Sequence, residues 1–186
     1  MDNKTDKIPC VLIVMGVSGS GKSTIAERLA ERLAWSYEDG DTFHPPGNVA
    51  KMKAGQPLTD NDRWPWLMAI ADEIDRACLA GRHAVIACSA LKRAYRDVLV
   101  RGRDDVRIVY LKGTQLLIAD RLARRKGHFM PPGLLDSQFK TLEPPAADEN
   151  PVTVSIDAPV ETIVEDIVRQ LKPGSADDRA SGRNSP

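Results

Sequence analysis

The chain of 186 residues has no excess of charge, because 26 lysines and arginines balance 26 aspartates and glutamates. Nucleic acids and anionic membranes attract proteins through an excess of basic residues. The balance therefore argues against a general attraction to either polyanion, so any anion-binding site has to be local. We accordingly expect neither a nucleic acid nor a membrane among the partners.

Cysteine is scarce, and long apolar runs are absent. Cys10, Cys78 and Cys88 are odd in number and widely spaced, which favours neither a disulfide framework nor a zinc site. No apolar run approaches the roughly 18 residues that cross a bilayer. The beginning, MDNKTDKIPC, is polar where a signal peptide would be basic and then apolar. These absences predict one soluble domain with a cytoplasmic location.

Short apolar runs alternate with helical patterns along the chain. Residues 11–15 are apolar without alternation, which is typical of a strand buried on both faces, and apolar residues then recur at helical spacing from Ile25 to Leu33. Further strands are predicted at residues 35–38, 83–88, 106–111 and 152–156, and helices follow the last three near Ala90, Thr114 and Pro159. The alternation predicts an α/β fold with a parallel sheet of about five strands and helices on both faces.

The predicted domain covers residues 1–172 and has two special segments. The interval of about 42–81 holds a polar loop, a short helix at 48–54 and a longer helix after Asp60. Such an insertion would lie above the carboxyl ends of the strands, where open α/β sheets bind ligands. Residues of about 124–136, including GHFMPP, are predicted to form a mobile lid, and residues 173–186 a disordered tail.

The segment GVSGSGKS at residues 16–23 matches the phosphate-binding pattern G-x-x-x-x-G-K-[ST]. Glycines allow a tight loop whose N–H groups face a phosphate chain, while Lys22 neutralises the β- and γ-phosphates and the Ser23 hydroxyl is placed to bind Mg²⁺. The pattern follows a predicted strand and opens a predicted helix, as this chemistry requires. We therefore predict ATP and Mg²⁺ as cofactors, with nucleotide contacts from Gly16, Ser18, Gly19, Ser20, Gly21, Lys22, Ser23 and Thr24.

Other phosphate-loop classes fit less well. No N-K-x-D motif for reading guanine is present, and the strand AVIAC ends at Ser89 rather than at an acidic residue. A GTPase switch and a motor ATPase are therefore disfavoured. A small kinase whose lid closes over two substrates and excludes water fits the pattern better.

Asp39 and Asp41 follow the second predicted strand. Two carboxylates that are two residues apart on an extended segment point the same way. Asp39 could then help to hold hydrated Mg²⁺, while Asp41 orients the acceptor hydroxyl and accepts its proton late in the transfer. The alternative interpretation is an Asp-Gly-Asp turn that merely starts the loop.

The chain resembles the gluconate kinases of the small P-loop type over about residues 11–167. The matching segments are GVSGSGKS, DGDTFHPPGNVAKMKAGQPLTDNDRWPWL, CSALKRAYRD, YLKG and RKGHFMPPGLLDSQFKTLEPP. The resemblance implies transfer of the ATP γ-phosphate to the 6-hydroxyl of D-gluconate, and a P-loop kinase fold shared with shikimate and nucleoside monophosphate kinases. It also implies that a homodimer is one expected assembly, although the sequence locates no surface for it.

The same resemblance assigns the substrate contacts. A guanidinium can bind a carboxylate with two parallel hydrogen bonds, and His, Asp and Ser suit hydroxyl groups. The implied gluconate contacts are Asp41, His44, Lys51, Arg63, Ser89 and Arg96, without a ranking of the cations. Each has a structural alternative: His44 could cap a turn, Lys51 could be a solvated charge, and Arg63 could pair with Asp60 or Asp62.

Three arginines lie on the helix before the predicted lid. By resemblance, Arg121 is expected to stack on adenine, and Arg124 or Arg125 to reach the transferring phosphate; the alternative is a solvated basic helix.

Gln138 is expected either to touch a substrate or to cap a helix. Cys88 is interpreted as a buried, inert thiol at the border of the site. We expect the cations Lys22, Arg63, Lys92, Arg96 and Arg121–Arg125 to converge on one cleft.

Overall fold

A computed structural model describes residues 8–124 and 132–172. Its sheet consists of β1 (Val11–Met15), β2 (Ser36–Asp39), β3 (Ala84–Ala87), β4 (Val106–Lys112) and β5 (Val152–Ser155). All neighbouring strands pair in parallel, in the spatial order β2-β3-β1-β4-β5. The five-stranded parallel sheet expected from the sequence is thereby confirmed, with β1 at its centre.

The helices are α1 (Lys22–Leu33), α2 (Pro46–Lys53), α3 (Asp60–Leu79), α4 (Arg93–Val100), α5 (Gln115–Arg124), α6 (Pro132–Thr141) and α7 (Val160–Leu171). Two short 3-10 turns occupy Gly40–Phe43 and Ala147–Glu149. Within the described ranges, no helix is long and apolar enough to cross a membrane.

The sheet separates two apolar layers. On one face, Leu12 and Val14 of β1 belong to a core that includes residues of α1 and α7. On the other face, Ile13 and Met15 belong to a core with α3 and α4. Because both faces are covered, every β1 residue is buried, which explains an apolar run without alternation.

Two predicted boundaries were wrong. The second strand is Ser36–Asp39, so Asp39 is the last residue of the strand rather than the first of the loop. The helix after β3 begins at Arg93 and not near Ala90, because Ala90 has a left-handed backbone with φ of 43°. That conformation interrupts a right-handed helix.

The predicted insertion contains α2 and the start of α3, but the later turns of α3 pack on the sheet through Ile70 and Ile74. Residues 132–136, predicted as part of the lid, belong to α6. The rest of that segment from 125 to 131, and the tail from 173 to 186, lie outside the described residues. The domain boundaries stay predictions.

Candidate active site

The phosphate-loop pattern lies between β1 and α1. Gly19 and Gly21 have φ of 83° and 93°, a region that L side chains rarely adopt. A Cβ at Gly19 would also come within 2.8 Å of Leu122 on α5. The residue before α1 is Gly21, which has no side chain to cap the helix. A glycine loop that leads into an uncapped helix start is suited to an anion.

Lys22 lies at the centre of the charged groups. Its Nζ donates to the carbonyl oxygen of Val17 at 3.2 Å. Burial lowers the pKa of Lys22, while the charges of Asp41 and Asp39 and the neighbouring Cys88 oppose that shift. The phosphate-loop lysine and both predicted carboxylates therefore lie within electrostatic reach of one another.

The backbone around the two aspartates differs from the predicted extended segment. Residues 40–43 form a 3-10 turn, and an Asp39 carboxylate oxygen caps it by accepting from the Asp41 N–H at 3.0 Å. The prediction that Asp39 and Asp41 share an extended segment was therefore wrong, and the turn given as its alternative is present. The Asp41 side chain is 78% exposed, so its carboxylate is accessible to a ligand.

His44 is enclosed by its neighbours. Its ring stacks on Trp66 with centroids 4.2 Å apart, and its Nε2 lies 3.9 Å from an Asp41 carboxylate oxygen. The Asn48 amide nitrogen donates to the backbone carbonyl of Asp62 at 2.8 Å and lies 3.2 Å from His44 Nδ1. Because that amide nitrogen is a donor, Nδ1 accepts and the neutral ring carries its proton on Nε2. Burial lowers the pKa of His44, with Asp41 opposing and Arg63 adding to the shift.

Asp62 joins α2 to the beginning of α3. Its carboxylate accepts from Lys51 Nζ at 2.7 Å and from the N–H of Thr59 at 2.8 Å, and Thr59 in turn caps the helix. The hydrogen bond from Lys51, followed by those from Thr59, lowers the pKa of Asp62 to about 2. The Lys51 ammonium is therefore held by a carboxylate of the protein itself.

Asp60 gathers three further groups. Lys92 Nζ donates to its two carboxylate oxygens at 2.8 and 3.0 Å, and the Tyr95 hydroxyl also donates to it. Arg63 is more loosely held, since its Nη1 lies 3.7 Å from Asp60 and its side chain is 31% exposed. Among Lys51, Arg63 and Lys92, the guanidinium of Arg63 is the least committed to a protein carboxylate.

Arg96, predicted to contact the substrate, is engaged by groups of the protein itself. Its side chain is 1% exposed, and Nε and Nη2 donate to the Glu149 carboxylate at 2.6 and 3.0 Å. Its Nη1 donates to the carbonyl oxygens of Ala90 and Leu91. Arg96 therefore holds the loop after β3 in place through hydrogen bonds to Ala90, Leu91 and Glu149.

The loop after β3 begins beside the site. Ser89 is half-buried in it, and Cys88 is fully buried. Burial raises the pKa of the Cys88 thiol to about 12, with a smaller opposing contribution from the Ala90 N–H. The expectation of an inert thiol agrees with this environment, since a thiol with that pKa carries almost no thiolate at neutral pH.

The arginines of α5 are held differently. Arg121 Nη2 donates to the carbonyl oxygen of Ile156, which follows β5. Arg124 is 78% exposed and pairs with Asp120 one turn earlier at 3.0 Å, so its guanidinium is held by a carboxylate of α5 itself. Arg125 lies outside the described residues.

On α6, the Gln138 carbonyl oxygen Oε1 accepts from the N–H of Ser18 at 2.6 Å.

Sequence reasoning missed Asn48, Asp60, Asp62 and Tyr95 as organising residues. The pattern Thr59-x-x-Asp62 before an apolar helix is a recognisable capping box and could have identified Asp62. No local pattern identifies Asn48 or Asp60, because their partners come from other elements. Among the described residues, no cluster of three His, Cys, Asp or Glu side chains could hold a metal ion by itself.

Three comparisons place the chain among known proteins. A family model described as an AAA domain matches residues 11–145. The gluconokinase of Gluconobacter oxydans (strain 621H) is 48% identical over 165 residues, which cover 88% of this chain and 92% of that protein. The crystal structure of a gluconokinase from Sinorhizobium meliloti 1021 is 42% identical, with a TM-score of 0.81 over 89% of this chain and 93% of that chain.

A more distant match concerns the fold alone. Shikimate kinase from Aquifex aeolicus is 16% identical and superposes with a TM-score of 0.53, over 87% of this chain and 95% of that one. The predicted kinship in fold with shikimate kinases is thereby confirmed.

Proposed function

The chain belongs to the gluconokinase family and phosphorylates gluconate with ATP, and we propose that the γ-phosphate passes in line to the 6-hydroxyl with the help of Mg²⁺. The supporting observation is that Lys22 of the phosphate loop experiences the charges of Asp39, at the end of β2, and of Asp41, whose side chain is exposed. A phosphate-neutralising cation and an accessible carboxylate for the acceptor hydroxyl are the two groups that phosphoryl transfer needs side by side.

The phosphate loop would hold the nucleotide. Gly16, Gly19 and Gly21 shape the loop, and Ser23 and Thr24 are exposed residues in the first turn of α1. Arg121, fixed at the carbonyl of Ile156, is proposed to stack on adenine. Arg124 or Arg125 is proposed to reach the phosphates, which for Arg124 means leaving Asp120.

The residues present suit Mg²⁺. Tyr37 lies two residues before Asp39 on the same side of β2. Burial is the main cause that raises the pKa of Tyr37, and Ser23 and Asp39 both act on it, so a hydroxyl and a carboxylate lie near this tyrosine. Mg²⁺ typically combines one or two such ligands with water and substrate phosphates. When bound, the metal neutralises negative charge on the phosphates. Ser23 and Asp39 are the residues that would hold it.

Asp41 is proposed to orient the 6-hydroxyl and to accept its proton. Its exposed carboxylate has the required access, and neutral His44 presents Nε2–H toward the same place. His44 can therefore donate to Asp41 or to a substrate hydroxyl. Because the transition state of phosphoryl transfer is loose, orientation of the hydroxyl is the larger contribution and proton removal comes late.

Arg63 is proposed to bind the substrate carboxylate. Arg96 is enclosed by Glu149, and Lys51 is held by Asp62. The Arg63 guanidinium has a long contact with Asp60, whose charge Lys92 already neutralises, and it lies 5.9 Å from the centroid of the Tyr95 ring. A guanidinium with free N–H groups matches a carboxylate through two parallel hydrogen bonds. Lys51 and Ser89 are then assigned to shaping the site or to the hydroxyl groups of gluconate.

Two further features remain part of the proposal. A cytoplasmic location agrees with the reaction's need for ATP and with cysteines that are all free. A homodimer stays a prediction from the family.

An ADP-release assay with gluconate, shikimate and AMP tests the function. Gluconate should give the largest kcat/KM by far, and Lys22→Met should abolish turnover while leaving the fold intact. The acceptor atom is tested with 6-deoxygluconate, which should inhibit competitively without being phosphorylated. Absence of turnover with millimolar gluconate would overturn the assignment.

A further inference from the structure

Gln138 occupies an unusual place on α6. Leu135, Phe139 and Leu142 form the apolar stripe by which α6 and the following residue pack against the body of the protein. Gln138 has the same helical spacing, at three residues after Leu135 and four before Leu142, and is half-buried. A polar side chain within an apolar stripe has to find a partner, because burying an unpaired amide is costly.

The partner is the phosphate loop. Oε1 of Gln138 accepts from the N–H of Ser18 at 2.6 Å, across 120 residues of sequence. Lys22 Nζ donates to the carbonyl oxygen of Val17 at 3.2 Å. The carbonyl of Val17 and the N–H of Ser18 belong to one peptide unit. Gln138 and Lys22 therefore hold the two ends of the same peptide group.

This contact determines which end of the Gln138 amide remains available. Because Oε1 is engaged by a backbone N–H, the two N–H donors of Nε2 are left over, and no residue in the described part of the chain accepts from them. They lie beside the peptide that Lys22 contacts, and the lysine of this motif serves the β- and γ-phosphates. Two neutral donors next to that lysine suit a phosphoryl oxygen.

We infer that Gln138 binds the γ-phosphoryl group through its Nε2 donors while Oε1 anchors the side chain on the phosphate loop. The inference rests on the proposed function and adds a contact from α6 to the transferring group. A donor placed where charge develops accelerates the reaction only if it is fixed beforehand. The bond to Ser18 and the packing of Leu135 and Phe139 supply that fixation.

The substitution Gln138→Glu separates the two ends of the amide. A glutamate can still accept from the N–H of Ser18, but it has no donors and brings a negative charge toward the phosphate. We expect kcat to fall about 10²- to 10³-fold, as for loss of a donor to a developing anion. Affinity for a non-hydrolysable ATP analogue should fall about tenfold or more, while affinity for ADP should remain close to wild type.

Two further variants complete the test. Gln138→Met removes both hydrogen bonds and should also lose activity, with a lower unfolding temperature than Gln138→Glu. Gln170→Glu makes the same chemical change on α7 and should leave kcat unchanged. If Gln138→Glu retains wild-type kcat and the wild-type preference for the ATP analogue over ADP, the amide is only a structural tie and the inference is overturned. Failure of the wild-type enzyme itself to phosphorylate gluconate would instead refute the proposed function.

Discussion

The Nε2 atom of His44 lies 3.9 Å from a carboxylate oxygen of Asp41. Asn48 fixes the tautomer from the other side of the ring, because its amide nitrogen, which donates to the Asp62 carbonyl, also faces Nδ1. The donor on Nε2 therefore faces the carboxylate that we assign to the acceptor hydroxyl. Through this arrangement the insertion helix α2 helps to orient a group at the end of β2.

Asp41→Asn should lower kcat about 10²- to 10⁴-fold, the usual contribution of a general base, with little change in the KM for gluconate. The amide keeps the size of the side chain but cannot accept the proton. Steady-state kinetics with varied gluconate at saturating ATP checks this result. Asp166→Asn, an exposed change on α7, is the matched control and should behave like wild type. Near-normal kcat in Asp41→Asn would remove Asp41 from its role.

The activity should decline as His44 becomes protonated. Its pKa lies below the ordinary value of 6.5, chiefly because of burial, with Asp41 and Arg63 as the charged groups that face it. A protonated ring would lose the hydrogen bond at Nδ1. We expect kcat/KM for gluconate to fall as pH decreases below 6.5, and Gln in place of His44 to remove this acid limb. If kcat/KM of His44→Gln falls at acidic pH in the same way as in the wild type, a group other than His44 is titrating.

The protonation of His44 should also change the free energy of unfolding, and the direction of the change follows from its pKa. In the unfolded chain the imidazole takes up its proton near the ordinary pKa, while the folded protein resists protonation. The unfolded state then binds more protons, so the free energy of unfolding decreases as pH falls below that value. Urea unfolding of wild type and His44→Gln at several pH values should show a weaker pH dependence in the variant.

Arg63 and Lys51 should respond differently to removal. Arg63→Ala should raise the KM for gluconate about 10- to 100-fold with a smaller effect on kcat, since a hydrogen-bonded charge pair with the substrate is lost. Lys51→Ala should chiefly lower the unfolding temperature, because it leaves Asp62 without its ammonium partner. Lys53→Ala, at the exposed end of the same helix, serves as the control. A larger KM effect in Lys51→Ala than in Arg63→Ala would reverse the carboxylate assignment.

Breaking the buried pair of Arg96 and Glu149 should destabilise the fold. Arg96→Met leaves the buried Glu149 charge without its guanidinium partner, and breaking such a buried pair typically costs about 3–5 kcal/mol. Burial by itself would raise the pKa of Glu149, but the hydrogen bonds from Arg96 and the Ala146 N–H outweigh it and lower that pKa. Urea titration should show the loss, and the additional change Glu149→Met should recover part of it. A raised KM without lost stability would restore Arg96 to the substrate site.

The sequence predicts well where one local pattern determines the structure. The strand Val11–Met15 was predicted with its observed boundaries, because an apolar run ending at a phosphate-loop glycine has few alternatives. The helix after β3 was placed too early, because Ala90 has a left-handed backbone that alanine rarely adopts, and its carbonyl oxygen accepts from Arg96. Local propensity cannot reveal such a constraint.

The site residues show the same contrast between local patterns, which the sequence reveals, and long-range contacts, which it does not. Lys22 and Ser23 were predicted as site residues from the spacing of one local motif. The ion pair of Arg96 could not be predicted, because its partner, Glu149, is far along the chain, and a basic residue next to a predicted site resembles a ligand-binding group. Asn48 was missed because its role depends on the spatial meeting of His44 with the beginning of α3.

The central position of β1 has a consequence for biosynthesis. Val11 pairs with Ala84 on one side and with Val106 on the other. A ribosome therefore completes the phosphate loop before either strand that pairs with β1 has been made. Parallel pairings of this kind form slowly because a long stretch of chain has to close first. The nascent chain must keep an entirely apolar strand unpaired until β3 and β4 emerge, and in that interval the strand is exposed to aggregation and to chaperones.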